Sequence, residues 1–314
     1  MTRCLLALGS NLGDRRENLS RATGEVASLP GSRLLARSQW HETTPIGGPS
    51  GQGAFLNGSL LVDTRLSPVE LSRALQNIEQ SLGRQRVVRW DARVIDIDVL
   101  LFDRLQFKSP ELIIPHPRLS FRRFVLEPAR EIAGSMVDPT SGWTLAQLLR
   151  HLDNSPRYVA VTAAQPESAR RLADGVCQAL GSFQVESLLP LAASGPDSPT
   201  AKTVEFTSAI RESNWLQVPE LAARLSGTAE STLPPVVSGF WCEAVSSGLV
   251  RPALVIAWEI PNSTKTHAEF RENLERLGHG PLARIEGEDF SAVLSEAIAA
   301  VRAVWPRLPT CGAK

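Results

Sequence analysis

The chain has 314 residues, with 33 basic and 33 acidic side chains, a formal net charge of zero and a pI near 7. That balance argues against a general electrostatic grip on nucleic acid or anionic lipid, so any phosphate recognition must be local. The length suffices for two ordinary domains, each with its own core.

Cys4, Cys177, Cys242 and Cys311 lie far apart and form no CxxC or Cys/His ligand pattern. Such spacing suits reduced thiols in the cytoplasm better than a disulfide framework or a zinc site. The opening "MTRCLLALGS" holds an apolar run too short for a signal peptide, and it reads as a first strand. No segment approaches the roughly 18 apolar residues of a membrane span. A soluble, cytoplasmic protein is the expectation.

Cys4 to Leu8 is a short buried strand stopped by Gly9-Ser10-Asn11, and Asp14 to Leu29 reads as a helix ended by Pro30-Gly31. Asn11 or Asp14 is its expected N-cap. Arg33 to Glu42 alternates like a strand, and residues 43–54 form a loop rich in Gly and Pro. Phe55 to Val62 is another strand. Ser67-Pro68, with Glu70 three residues on, predicts a capping box opening a helix to about Leu82. Val94 to Phe102 is the next strand. This β-α-β-β-α-β order predicts an α+β ferredoxin-like sandwich. Residues 112–133 read as a short strand, a turn at two prolines and a helix, and 141–152 as a closing amphipathic helix.

A boundary falls at Asn154-Ser155-Pro156, dividing the chain into domains 1–155 and 156–314. Strands at 158–164, 235–241, 253–260 and 282–287 alternate with helices at 167–180, 265–277 and 290–303. They predict an α/β layered domain with a mainly parallel sheet. Residues 192–201 are of low complexity.

The chemistry concentrates in "GRQRVVRWDARVIDIDVLLF", residues 83–102. Alternation along a strand puts Val94, Asp96, Asp98 and Leu100 on one face and Ile95, Ile97, Val99 and Leu101 on a core face. Aspartate is a poor strand former, and two neighbouring acids repel, so a cation is expected between them. Magnesium takes few carboxylates and completes its shell with water and phosphate oxygens. The alternative is a solvated face paired with nearby arginines. Arg84, Arg86, Arg89 and Arg93 in the adjoining loop favour phosphate, because guanidinium forks match its oxygens. Trp90 is either core or a stacking surface. Asn57 would be an uncomfortable core residue, but its amide suits the edge of a heterocycle. His116 sits in a rigid turn near Arg122 and Arg123.

Four motifs carry a resemblance: "LALGSNLGDRRENL", "ETTPIGGPSGQGAFLNGSL", "IEQSLGRQRVVRWDARVIDIDVLLF" and "IPHPRLSFRRFVLEPAREIA". Together, over about residues 1–155, they resemble the 6-hydroxymethyl-7,8-dihydropterin pyrophosphokinases of folate biosynthesis. The resemblance implies transfer of pyrophosphate from ATP to the pterin hydroxymethyl group, releasing AMP. It implies two Mg²⁺ ions on Asp96 and Asp98, and charge neutralisation by Arg84 and Arg93. ATP would meet Gln76, Glu79, Arg86, Arg89, His116 and Arg122. The pterin would meet Thr43, Pro45, Ile46, Phe55, Asn57, Trp90 and Phe124. Asp91-Ala92 depart from the family's usual Gly followed by Pro or a small residue.

The second domain faintly resembles a P-loop nucleoside kinase without its phosphate loop, which leaves docking, self-association, ligand sensing or a purely structural role. A catalytically degenerate scaffold binding nucleotide and pterin is the alternative for the whole. An RNA-binding module of the same topology fits worse, since it would display aromatics where this strand has acids.

Overall fold

The computed structural model describes residues 1–46, 51–84, 92–155, 159–181, 184–186, 236–238, 252–260, 270, 274 and 280–306. It forms two compact units. One comprises Met1–Asn154 with Gly278–Ala283 and Ala299–Arg307; the other comprises Ser155–Leu277, Arg284–Ile298 and Leu308–Lys314.

The first unit is an α+β layer built on an antiparallel sheet. Its strands are β1 (Thr2–Ser10), β2 (Ser32–Arg37), β3 (His41–Thr43), β4 (Phe55–Thr64) and β5 (Asp96–Phe102). They run in the order β2-β4-β1-β5, with β3 also pairing β4. Helices α1 (Arg15–Ala27) and α2 (Pro68–Ser81) cover one face. There Cys4, Leu6, Leu8, Leu19, Val62, Leu71, Leu75, Ile97 and Val99 share a core. Each such side chain removed from water contributes roughly 1.5–3 kcal/mol. Helices α3 (Arg123–Ala133) and α4 (Leu145–Asn154) complete the unit, beside the small hairpin β6 (Phe107–Lys108) and β7 (Ile113–Ile114).

Local chemistry sets the helix ends. Asp14 caps α1 by accepting from the Glu17 amide at 3.0 Å; Asn11 is used elsewhere. Ser67 and Glu70 form the reciprocal capping box of α2, at 3.3 and 2.8 Å. The helix expected from 141 starts at Leu145, because the Thr144 hydroxyl accepts from the Gln147 amide (3.2 Å) and Gln147 Oε1 accepts from the Thr144 amide (2.8 Å).

Two expectations need correction. The strand expected over 33–42 divides into β2 and β3, because Ser38 Oγ takes the Ser59 amide (2.9 Å) and donates to the Gln39 carbonyl (2.8 Å). A side chain that satisfies main-chain groups in this way interrupts a ladder. In β5, Leu5 faces Leu101 but Leu6 faces Val99, so Leu100 is an extra, bulged residue. Strand alternation therefore fails at Leu100. Leu101 joins the face of Leu5 rather than that of Ile97 and Val99, and Phe102 enters the core cluster in its place.

A separate sheet comprises β8 (Val159–Ala163), β9 (Gln184–Glu186), β10 (Val236–Ser238) and β11 (Leu254–Glu259), all of the second unit, with β12 (Leu282–Glu286), in the order β12-β11-β8-β10-β9. Strand β8 pairs in parallel with β10 and β11, and β10 pairs in parallel with β9. Helix α5 (Pro166–Leu180) belongs to the second unit, and α6 (Phe290–Val304) follows β12 in the chain. The stretch 192–201 and nearly all of the helix expected at 265–277 lie outside the described residues. Among the described residues, no helix is long and apolar enough to cross a membrane.

Candidate functional site

Partners across antiparallel strands point to the same face. Gly9 of β1 has Asn57 of β4 on one side and Asp96 of β5 on the other, while Ala7 lies between Ser59 and Asp98. The row Asn57–Gly9–Asp96 thus crosses three strands, on the sheet face opposite the α1–α2 core. With strands about 4.8 Å apart, it spans roughly 10 Å. A cavity of about 280 Å³ opens over it, lined by Thr43, Ile46, Phe55, Asn57, Arg93, Asp96, Asp98, His116, Arg122 and Phe124, among others.

The acidic end is a chain of charges. Arg84 Nη1 lies 2.7 Å from Asp96 Oδ1 and also pairs with Glu79. Arg93 Nη1 reaches Asp96 Oδ2 at 2.5 Å. Behind them Glu79 is nearly inaccessible, and its Oε1 accepts from the Ile97 amide at 2.7 Å. Burial pushes the Glu79 carboxyl up to about 7 against the pull of Arg84. Burial, then the neighbouring Asp98, also raises Asp96, although Arg93 and Arg84 oppose the shift. Asp98 is the open member, with its side chain 46% exposed.

His116 is fixed at both ends. Its amide donates to the Leu100 carbonyl at 2.9 Å, so the bulged residue anchors the turn. Its Nδ1 accepts from the Arg118 amide at 3.1 Å, which leaves the ring proton on Nε2, 3.9 Å from Asp98 Oδ2. Burial, then the charges of Arg122 and Arg118, depress the imidazole to about 3, so it is neutral at physiological pH.

At the other end, Asn57 donates through Nδ2 to Thr43 Oγ1 at 2.7 Å. Its Oδ1 lies over Gly9. Thr43 and Phe55 are cross-strand partners, and Arg15 braces the base of loop 43–54 by pairing with Glu42 (2.8 Å) and donating to the Ala54 carbonyl (2.7 Å).

Of the residues singled out from sequence, Thr43, Ile46, Phe55, Asn57, Arg93, Asp96, Asp98, His116, Arg122 and Phe124 meet at one cavity. Glu79 and Arg84 stand behind Asp96, and Gln76 lies one turn before Glu79 on α2. Pro45 sits between two lining residues, Thr44 and Ile46. Arg86, Arg89 and Trp90 lie outside the described residues. Sequence reasoning missed Gln52 and Arg118, which also line the cavity, and the buried Asn11. Asn11 looked like a cap; only its contact with Arg93 reveals its place.

Comparison with known proteins bears on this half of the chain. Residues 5–134 match the family model described as 7,8-dihydro-6-hydroxymethylpterin-pyrophosphokinase. The chain is 43% identical over 155 residues to a 2-amino-4-hydroxy-6-hydroxymethyldihydropteridine pyrophosphokinase of Methylorubrum extorquens, a match covering 49% of this chain and 96% of that protein. It is 40% identical over 147 residues to the protein of that name from Pseudomonas aeruginosa, covering 47% of this chain and 90% of the relative. A solved HPPK-DHPS chain of Plasmodium falciparum, with pteroate, is similar over 95% of this chain and 84% of its own, at 11% identity and a TM-score of 0.39. Likeness that low says nothing about residues 156–314.

Proposed function

The chain belongs, through its N-terminal half, to the 7,8-dihydro-6-hydroxymethylpterin-pyrophosphokinase family, and from that membership we infer a specific reaction and a role for each site residue. It is an enzyme, a 2-amino-4-hydroxy-6-hydroxymethyldihydropteridine pyrophosphokinase of folate biosynthesis, with ATP as co-substrate. The proposed reaction is Mg²⁺-dependent. The pterin hydroxymethyl oxygen gives up its proton to water and attacks the β-phosphorus of ATP, the bond from that phosphorus to the α-phosphate bridging oxygen breaks, and AMP leaves. The products are AMP and the pterin diphosphate.

One observation carries this reading: two aspartates of one strand face a cavity that also holds arginines, a neutral histidine and an oriented asparagine. The carboxylates fit magnesium. Magnesium takes few carboxylates and completes its shell with phosphate oxygens and water. Asp96 and Asp98 would hold two ions, and magnesium would supply charge neutralisation on the phosphoryl oxygens.

The other roles belong to the chain itself. Thr43 commits the Asn57 amide nitrogen, which leaves Oδ1 to accept from a ring N–H of the pterin. Phe55 and Phe124, with Trp90, wall the flat ring, while Pro45 and Ile46 close it from the loop. Arg84 and Arg93 neutralise charge on the transferring group, since such chemistry rests mainly on positioning and electrostatics. Gln76, Glu79, Arg86, Arg89, His116 and Arg122 position ATP. His116, neutral and presenting Nε2–H, donates a hydrogen bond without adding charge.

The strand order β2-β4-β1-β5 supports a ferredoxin-like description of residues 1–155. A separate α/β domain over 156–314 is part of the same reading. The order β12-β11-β8-β10-β9, with its first strand central, supports a likeness to nucleoside kinases that have lost the phosphate loop. The decisive test follows AMP by chromatography with Mg²⁺ and pterin each present or omitted. AMP that requires both is expected; ATP bound without AMP would leave only a binding scaffold.

A further inference from the structure

Helix α3 opens on two arginines, Arg122 at its cap and Arg123 at its first residue, with no acid in its first turn. A cation there opposes the helix dipole, so local preference explains neither. Arg122 lines the cavity. Arg123 is mostly buried and bound to other helix ends. Its Nε donates to the carbonyl of Val304, the last residue of α6, at 2.7 Å. Its Nη2 donates to the Leu152 carbonyl at 2.7 Å and its Nη1 to Asp153 Oδ1 at 2.6 Å, both in the last turn of α4. Carbonyls that end a helix lack partners within it and carry its negative pole, so they suit a guanidinium. Two residues before Arg122, the buried Ser120 Oγ accepts from the Leu282 amide at 3.4 Å. All of these residues belong to the first unit.

Resting on the functional reading above, in which Arg122 meets ATP, we propose that Arg123 is a positioning residue for the nucleotide: by clamping the ends of α4 and α6 it fixes the main chain from which Arg122 reaches the phosphates. One short segment, 116–124, carries His116, Arg118, Arg122 and Phe124 into the cavity wall, and Ser120 and Arg123 are its two fastenings. Leu282 and Val304 lie far beyond residue 134, where the family match ends. They are nonetheless working parts of the nucleotide site. Three acceptors in a fixed fork also call for arginine, since a lysine ammonium is a point charge.

The competing explanation is that Arg123 only ties two helix ends together. A double-mutant cycle on the full chain separates the two, with wild type, Arg122→Ala, Arg123→Ala and the double variant. Each is titrated by calorimetry with a Mg²⁺-bound non-hydrolysable ATP analogue and unfolded in urea. Arg123→Ala is expected to weaken nucleotide binding at least tenfold and to lower the unfolding midpoint. In the Arg122→Ala background the same change should weaken binding less than twofold further, while the midpoint falls as before. Arg123→Lys should weaken binding at least threefold although the charge is kept. Normal affinity in Arg123→Ala or Arg123→Lys, or an undiminished loss in the Arg122→Ala background, would overturn the proposal. Wild-type protein gives a readout independent of any variant's folding. Coupling is reciprocal, so the bound analogue should slow amide exchange at Leu282 and in the last turn of α6, and unchanged exchange at both overturns the proposal. Wild-type protein that binds no analogue, or Arg122→Ala that binds it normally, would instead overturn the functional reading itself.

Discussion

Asn11 grips Arg93 through the main chain on both sides: its amide donates to the Arg93 carbonyl at 3.1 Å, and its Oδ1 accepts from the Arg93 amide at 2.6 Å. The same side chain donates through Nδ2 to Gln52 at 3.2 Å, so one buried residue links the end of β1 to both loops that border the cavity. Asn11→Ala leaves the Arg93 amide without that acceptor, at a cost of about 1–3 kcal/mol. With Arg93 displaced, turnover should fall at least tenfold while the α1 cap, which uses Asp14, persists. Urea unfolding and steady-state AMP formation check the two parts separately.

Asp98→Asn should cut turnover by about a thousandfold, the scale of losing one charge-stabilising group at a phosphoryl centre. Its open position means unfolding midpoints should barely move. Asp96→Asn should be equally inactive and less stable, because Arg84 and Arg93 lose their shared anion. Near-normal rates in either variant would remove the metal assignment.

Two buried groups tilt stability with pH in opposite directions. His116, depressed to about 3, contributes stability present above its ordinary value near 6.5 and lost as pH falls towards 3. Glu79, raised to about 7, contributes stability present below its ordinary value of 4.5 and lost as pH rises through 7. The slopes oppose each other between about 4.5 and 6.5. There, His116→Gln should make stability fall with rising pH, and Glu79→Gln should make it rise more steeply, each by up to about 1.4 kcal/mol per pH unit. Urea titrations at several pH values would reveal either change.

Gly58→Ala should destabilise the fold by about 1–3 kcal/mol, since a Cβ there would stand 2.3 Å from the Trp40 ring carbons Cε3 and Cζ3. Trp40→Leu should recover much of that cost in the double variant. Thermal unfolding of the four proteins completes the cycle.

Much of this molecule is legible in its sequence, for identifiable reasons. The Ser67–Glu70 box and the Asp14 cap are local signals, and the period-two pattern puts Asp96 and Asp98 together without reference to other strands. The bulge at Leu100 is not local: it arises from how β5 meets β1, so simple alternation puts Leu101 on the wrong face. Asn11 and Arg93 are 82 positions apart, and a short polar side chain before a helix looks the same whether it caps or clamps. An arginine in a Pro-rich turn, such as Arg118, carries no sequence pattern; its place emerges from the bond its amide makes to the His116 ring.

Strand β5 ends its sheet, yet that margin is not open. The Glu79 carboxylate occupies the outward amide of Ile97, and the His116 amide occupies the Leu100 carbonyl. A visiting strand would have to evict an acid that is almost out of reach of solvent and unseat a proline-flanked corner. Two of the main-chain groups that a visiting strand would need on β5 are therefore already taken.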